Sequence, residues 1–213
     1  MASKNLVTHR KLVIICVVAL LLLTTPMHAL AQSNSATGDN TLLNYFSFVK
    51  SVKNGQTGVL RGVYVSDVLA LPIVQQPFGH PEFVSENDGE ITQFNMATQT
   101  GNIGLLAHNH LSGEAFINLL PGQEVRLIYG DGRVESFIIS QVLRYQALEP
   151  YNANSEFRDL ETNTLITAEE LFHKMYRGNR HITFQTCIEA SGNGSWGRLF
   201  VIAHPKMSSS NTR

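Results

Sequence analysis

Cys187 closes the apolar run His181 to Cys187 and is followed by a stretch rich in Ser, Gly and Asn. A thiol is a useful nucleophile only as the thiolate, so this cysteine needs a basic or cationic neighbour from elsewhere in the chain. Without one it is a core cysteine. Two histidines, His108 and His110, follow the apolar run Ile103–Ala107 and precede Leu111-Ser112-Gly113. On a continuing strand their imidazoles would share a face, because side chains repeat every two residues. Two chemistries are then open: one histidine serves Cys187 as acid and base, or both bind zinc with a third ligand from His80, His173, His181 or His204. The plain alternative is a pair of polar residues at a loop mouth. Arg198, 11 positions after Cys187, precedes the apolar run Leu199–Ala203. Its permanent charge beside a thiol could hold the negative oxygen of a tetrahedral intermediate or orient a substrate carbonyl, although a charge flanking a strand is also common. His110, Thr186 and Trp196 are the candidates for lining a substrate groove.

The elements that must position these residues are mostly strands. Short runs of β-branched and aromatic residues separated by Gly, Pro, Asn and Asp predict strands over Val59–Val65, Ala70–Val74, Thr92–Met96, Ile103–Ala107, Glu124–Tyr129, Val134–Val142, Ile182–Cys187 and Leu199–Ala203. Gly130-Asp131-Gly132 lies between two of them and supplies the positive φ of a tight hairpin. Eight strands at this spacing point to a closed or nearly closed barrel, an all-β fold. Leu42, Leu43, Phe46 and Val49 have helical spacing and predict an amphipathic helix on the outside of the domain. The connection Leu148–Asn179 is far longer than most and carries its own helix. Thr167 and Glu170 form a capping box for it, Leu171, Phe172, Met175 and Tyr176 form its apolar face, and Gly178-Asn179 closes it.

Lys4, Arg10 and Lys11 precede the unbroken apolar run Leu12–Leu23, followed by Pro26 and Ala29-Leu30-Ala31. This order reads as a secretory signal over residues 1–31, with an uncleaved membrane anchor as the rival. Either way the domain is expected outside the cytoplasm, secreted or held at the outer face of the cell membrane. Residues 32–40 read as a flexible neck, 41–206 as the catalytic domain and 207–213 as a disordered tail. Removal of residues 1–31 leaves 13 basic against 17 acidic residues, a formal charge of −4. A mildly acidic body without a basic cluster argues against nucleic acid as a partner. Cys16 falls within the signal, so the exported domain keeps one thiol, Cys187, and no internal disulfide.

Thr183-Phe184-Gln185-Thr186-Cys187 resembles the T-L-x-T-C signature of sortases, with Phe in place of the usual Leu. Ala107-His108, the following Phe116-x-x-Leu119 and Pro121-Gly122-Gln123-Glu124-Val125 are similar to that family's A-G-H and L-x-x-G-D-x-V segments. Arg198 before an apolar strand matches the family's arginine. The Gly usual before the His is absent, since Leu106-Ala107 precedes His108, which points to a divergent branch. The resemblance covers Val59 to His204. It implies an eight-stranded barrel with the site in a groove at one end. It further implies a transpeptidase that cleaves a sorting motif of surface proteins through a thioacyl intermediate, later resolved by an amine or by water. Cys187 would be the nucleophile, His108 the general acid and Arg198 the oxyanion or substrate contact.

Glu82, Glu86, Asp88 and Glu90 resemble the calcium-responsive acidic loop of some sortases, so calcium is a possible ligand, and no other cofactor is expected. Two rival readings remain: an extracytoplasmic zinc protein using His108 and His110, and a barrel that binds cell-surface peptide or polysaccharide without catalysis.

Overall fold

The computed structural model of the chain describes residues 44–207. The leader over 1–31 with Cys16, the neck over 32–40, Leu42 and Leu43 of the first helix, and the tail after 207 lie outside the described residues.

Described residues 44–52 are helical (α1). The strands β1 (Leu60–Val65), β2 (Leu69–Gln75) and β3 (Ile91–Phe94) lead into a short helix α2 (Asn95–Gln99) and β4 (Ile103–Leu106). A 3-10 helix (Ser112–Asn118) precedes β5 (Glu124–Tyr129) and β6 (Val134–Ala147). After the short β7 (Phe157–Asp159) and β8 (Leu165–Ile166) come α3 (Ala168–Tyr176), β9 (Ile182–Ala190) and β10 (Asn193–Pro205). The strands pair in the order β10-β9-β4-β3-β2-β1-β5-β6, and β6 pairs back onto β10. This closes an eight-stranded barrel, which leaves none of those strands with a free edge. β7 and β8 extend the sheet outward from β6. The pairs β2–β3 and β4–β9 are parallel and the others antiparallel.

Alternation along the strands sorts the core into two clusters. Ile182 and Phe184 of β9, Leu199, Val201 and Ala203 of β10, and Ile103 and Leu105 of β4 belong to the cluster that fills the barrel. Phe116 of the 3-10 helix is fully buried and meets Phe184 edge to face, 5.2 Å between centroids, so the chain after β4 plugs the barrel. The opposite faces of β6 and β10 contribute Tyr145, Ala147, Phe200 and Ile202 to a second cluster on the outside, covered by Leu171, Met175 and Tyr176 of α3. β10 therefore has two apolar faces over residues 199–203 and reads there as a continuous run. α3 starts as expected: the Thr167 hydroxyl accepts from the Glu170 N–H at 3.3 Å while the Glu170 carboxylate accepts from the Thr167 N–H at 3.0 Å. Among the described residues no helix is long and apolar enough to cross a membrane.

Several expected boundaries move. The strand expected over Thr92–Met96 stops at Phe94, because the Asn95 N–H and side-chain amide both donate to Gln76, at 3.0 Å each, and draw the chain into α2. β6 runs on from Val142 to Ala147, since its second half pairs with both β10 and β7. β9 and β10 extend past Cys187 and start before Leu199, to form one long hairpin. Of the expected apolar face of α1, Val49 is half-buried but Phe46 is 63% exposed, and Phe48 and Val52 lie against Gly62 of β1 while Tyr45 stacks edge-on to Tyr64 at 5.0 Å. A glycine at position 62 leaves the hollow that these side chains fill.

The barrel plug makes a direct prediction. Phe184→Ala removes a fully buried ring from contact with Phe116 and should cost about 3–5 kcal/mol of unfolding free energy, measured by urea denaturation. A loss below about 1 kcal/mol, the scale of a surface change, would contradict this packing.

Candidate active site

Cys187 lies within β9, three residues before its end at Ala190, rather than at a strand terminus as expected. The inward positions of β9 are Ile182, Phe184 and Thr186; the outward positions Thr183 and Gln185 bond to α3, through the Met175 carbonyl and the Tyr176 hydroxyl. Two residues further on the same face, Cys187 stands on the outside of the barrel, partly exposed and outside both apolar clusters. Arg198 is its direct partner across the antiparallel ladder, as Phe200 is of Gln185. On the other side of β9 the parallel β4 pairs Leu105 with Phe184 and Leu106 with Gln185. The Ala107 N–H carries this ladder one step further by donating to the Gln185 carbonyl at 3.3 Å. His108 follows directly after this last bond. Cys187 and Arg198 thus stand in one row on β9 and β10, with Arg198 well inside β10 and not at its opening, while His108 lies two residues beyond the last β4 residue that pairs with β9.

The row continues past Arg198. Its partner on β6 is Tyr145, and that of Tyr145 on β7 is Asp159. The Arg198 guanidinium lies 6.0 Å from the centre of the Phe157 ring, and its Nη1 donates to the carbonyls of Ser195 at 3.0 Å and Gly197 at 2.9 Å. These contacts hold the guanidinium in place on the strand next to Cys187. Behind it, Lys174 of α3 donates to the Tyr145 hydroxyl at 2.7 Å and stands 3.9 Å from Asp159. Burial by itself would raise the Asp159 carboxyl. The N–H groups of Thr162 and Glu161, the Tyr145 hydroxyl and the Lys174 charge outweigh it and hold the carboxyl below its ordinary range. Burial also pushes the Tyr145 phenol up, despite the lysine beside it.

After β4 the chain does not stay extended. Leu111 and Gly113 both donate their N–H to the His108 carbonyl at 3.0 Å, which folds the loop back beneath the histidine. His110 leaves the strand, is exposed, and its ring lies 5.4 Å from that of His108. The expected zinc partners are placed differently: His80 pairs with Glu82 and His173 with Glu169, and both ring nitrogens of the buried His181 face backbone carbonyls. His204 lies against His181, 5.9 Å between rings. Among the described residues no group of three or more His, Cys, Asp or Glu side chains is placed to hold a metal ion. In the acidic loop Glu90 accepts from Ser85 and Asn87, Asp88 accepts from Gly89, and Glu82 faces His80. An open groove of about 510 Å³ runs from His108 along this loop, past His80, Glu82, Phe83 and Glu86.

Of the expected groove residues, Thr186 points the wrong way. It is 5% exposed on the barrel side of β9, its hydroxyl lacks a hydrogen-bond partner, and it packs beneath Gly113. The alternation that turns Cys187 outward turns its neighbour inward. Trp196 is partly exposed in the irregular stretch of β10 between Asn193 and Gly197. Sequence reasoning missed Tyr145 and Phe157 beside Arg198, and Asn109 and Gly113 in the histidine loop. Only Gly113 carried a signal, as a glycine close behind a candidate catalytic residue; the others become visible once strands distant in the chain are paired.

Neither a protein-family model nor a curated protein sequence matches the chain. Among solved structures it is similar to sortase A of Listeria monocytogenes, with 11% identity over 70% of this chain and 88% of that one and a TM-score of 0.45. It is also similar to sortase C-1 of Actinomyces oris, with 10% identity over 76% and 80% and a TM-score of 0.48. The sortase D5 transpeptidase of Clostridium perfringens matches with 15% identity over 78% and 89% and a TM-score of 0.44. At these identities the chemistry has to be read from the side chains of this chain.

Two measurements check the site's framework. A Cβ at Gly113 would meet the Thr186 hydroxyl and stand 2.6 Å from the His108 carbonyl and 2.7 Å from that of Ala107, so Gly113→Ala should destabilise by about 1–3 kcal/mol in urea titration. Asp159 has a lowered folded-state pKa, so its contribution is present at neutral pH and disappears as pH falls through the folded value. The thermal midpoint of Asp159→Asn should therefore lie below wild type at pH 7 and converge with it below about pH 4. A constant gap from pH 7 to pH 2 would contradict the depressed carboxyl.

Proposed function

We propose that this chain is a sortase-type cysteine transpeptidase acting outside the cytoplasm, with Cys187 as nucleophile, His108 as general acid and base, and Arg198 as the group that holds the oxyanion. The observation that supports this reading is the direct cross-strand pairing of Cys187 with Arg198 on the outer face of the barrel, with His108 two residues beyond the end of β4, the other neighbour of β9. The motif resemblance around Thr183–Cys187 and the likeness to solved sortases point the same way.

The chemistry starts from a Cys187 thiolate and a protonated His108. The sulfur attacks a backbone carbonyl carbon of the sorting motif, and the carbonyl electron pair moves onto oxygen, where the Arg198 guanidinium faces it. Collapse of this intermediate breaks the C–N bond, and the leaving amine takes the His108 proton. The thioester left on Cys187 is opened by an amine, or by water. The neutral His108 removes the proton of the attacking group and the thiolate returns. The long connection 148–179 is proposed to wall the peptide groove, a reading supported by the Tyr151 hydroxyl, which reaches Asn193 at the start of β10 at 3.2 Å. Export follows from the charged and apolar order of residues 1–31.

Incubation of residues 32–213 with a peptide library, with and without added amine, followed by intact mass spectrometry, tests the assignment. Wild type should carry an acyl adduct on Cys187 and Cys187→Ala none. His108→Asn should slow adduct formation by about 10²–10⁴-fold, the worth of a positioned acid and base. Arg198→Lys should cost up to about 10²–10³-fold, since a point charge replaces the fork. Peptide turnover by Cys187→Ala would overturn the reading. Zinc that copurifies with the protein in stoichiometric amount, together with a Cys187 inert to thiol reagents, would favour the metal-binding alternative.

A further inference from the structure

The β9–β10 hairpin turns through Ser191 and Gly192, both with left-handed φ of 53° and 75°. Its ladder pairs Asn193 with Ala190 and next Gly197 with Ile188, so residues 194–196 bulge out of register. The bulge presents two carbonyls in different directions. That of Ser195 accepts from Arg198 Nη1 at 3.0 Å, and that of Gly194 accepts from the side-chain amide of Asn109, also at 3.0 Å. Asn109 is the residue directly after His108, whose own carbonyl is fixed by the N–H groups of Leu111 and Gly113. A side-chain hydrogen bond therefore joins the histidine loop to the segment that grips Arg198. The bulge is held on its far side as well, because Asn193 Oδ1 accepts from both the Ser195 N–H at 2.9 Å and the Tyr151 hydroxyl at 3.2 Å.

We propose that Asn109 is a positioning residue that ties the His108 loop to the 194–196 bulge and thereby sets the spacing between the imidazole and the Arg198 guanidinium across Cys187. The inference rests on the transpeptidase reading for its effect on rate, and on geometry alone for the tie itself. Neither end of the row is fixed by the ladders alone. His108 has already left β4, whose last paired residue is Leu106, and Arg198 takes two of its contacts from the irregular stretch and its edge. An acyl transfer that needs the acid and the oxyanion contact on opposite sides of one carbonyl is sensitive to displacements of about 1 Å, which can cost about 10²-fold in rate. A carbonyl acceptor requires a donor, so the amide of Asn109 suits the tie and an ionised carboxylate, which only accepts, does not.

The test uses the full-length chain and three variants, Asn109→Ala, Asn109→Asp and Asn109→Gln. Amide hydrogen exchange of residues 193–198, followed by mass spectrometry, reads the tie without any substrate. In Asn109→Ala and Asn109→Asp exchange there should rise about 5-fold, the fold-change of one neutral hydrogen bond, while exchange in β1 and β5 stays at the wild-type rate. Single-turnover acylation of Cys187 by the library peptides reads the consequence. The maximal rate should fall about 10-fold or more in Asn109→Ala and Asn109→Asp with half-saturation unchanged, and Asn109→Gln, which keeps the donor, should recover part of it. Unchanged exchange at 193–198 overturns the tie whatever the rates do. Faster exchange with wild-type acylation rates overturns the positioning role, as does an equal loss of thermal stability and rate in all three variants. A wild-type protein that forms no adduct sinks the transpeptidase reading and with it the effect on rate, while the exchange measurement still decides whether the tie exists.

Discussion

In the parallel ladder between β4 and β9, Ile103 faces Ile182 and Leu106 faces Gln185, and this register decides which side chains can meet on the outside of the barrel. A slip of one residue would exchange the faces of a whole strand. Cys187 would turn into the apolar interior and Thr186 would take its place outside. The register is held by burial. Leu105 and Phe184, paired across the ladder, are both fully buried, and Phe116 closes over Phe184 from the chain that follows His108. The same packing that stabilises the barrel therefore fixes the direction of the thiol, and the site inherits its geometry from the core.

Closure of the barrel matters for the other half of the row. Because β10 pairs with β6 as well as with β9, Arg198 sits on an interior strand, flanked by Cys187 on one side and Tyr145 on the other. A flexible loop would give a guanidinium a wide choice of rotamers. Here Phe157 and the carbonyls of Ser195 and Gly197 narrow it. α3 completes the arrangement from outside. It covers the apolar positions of β6 and β10 and carries Lys174, which joins Tyr145 and Asp159 behind the arginine. The outer face is thus divided into a part covered by α3 and a part that α3 leaves open.

Irregular backbone appears where the chain must serve two demands. The bulge at 194–196 interrupts a hairpin that pairs regularly on either side, and its freed carbonyls go to Asn109 and Arg198. The turn beneath His108 spends its N–H groups on one carbonyl and needs Gly113, since any larger residue would press on the main chain of Ala107 and His108. Regular ladders supply rigidity, and these departures aim individual side chains.

Much of this was legible in the chain itself. Alternation and turn residues gave the barrel strands, the Gly130–Gly132 turn and the capping box of α3, because each depends on contacts a few residues apart. The types of Cys187, His108 and Arg198 announced a possible chemistry, since few side chains offer a thiolate, a neutral-range proton or a permanent planar charge. Strand ends, the face of α1, the inward turn of Thr186 and the contacts of Asn109, Tyr145 and Phe157 were hidden from it. Those depend on which strands become neighbours: Asn109 and Gly194 lie 85 positions apart, and Arg198 meets Tyr145 only through the closing pair of the barrel. Local sequence fixes the conformational preference of a segment, but the partner of a side chain is chosen by how distant segments share one core, and that choice exists only in the folded molecule.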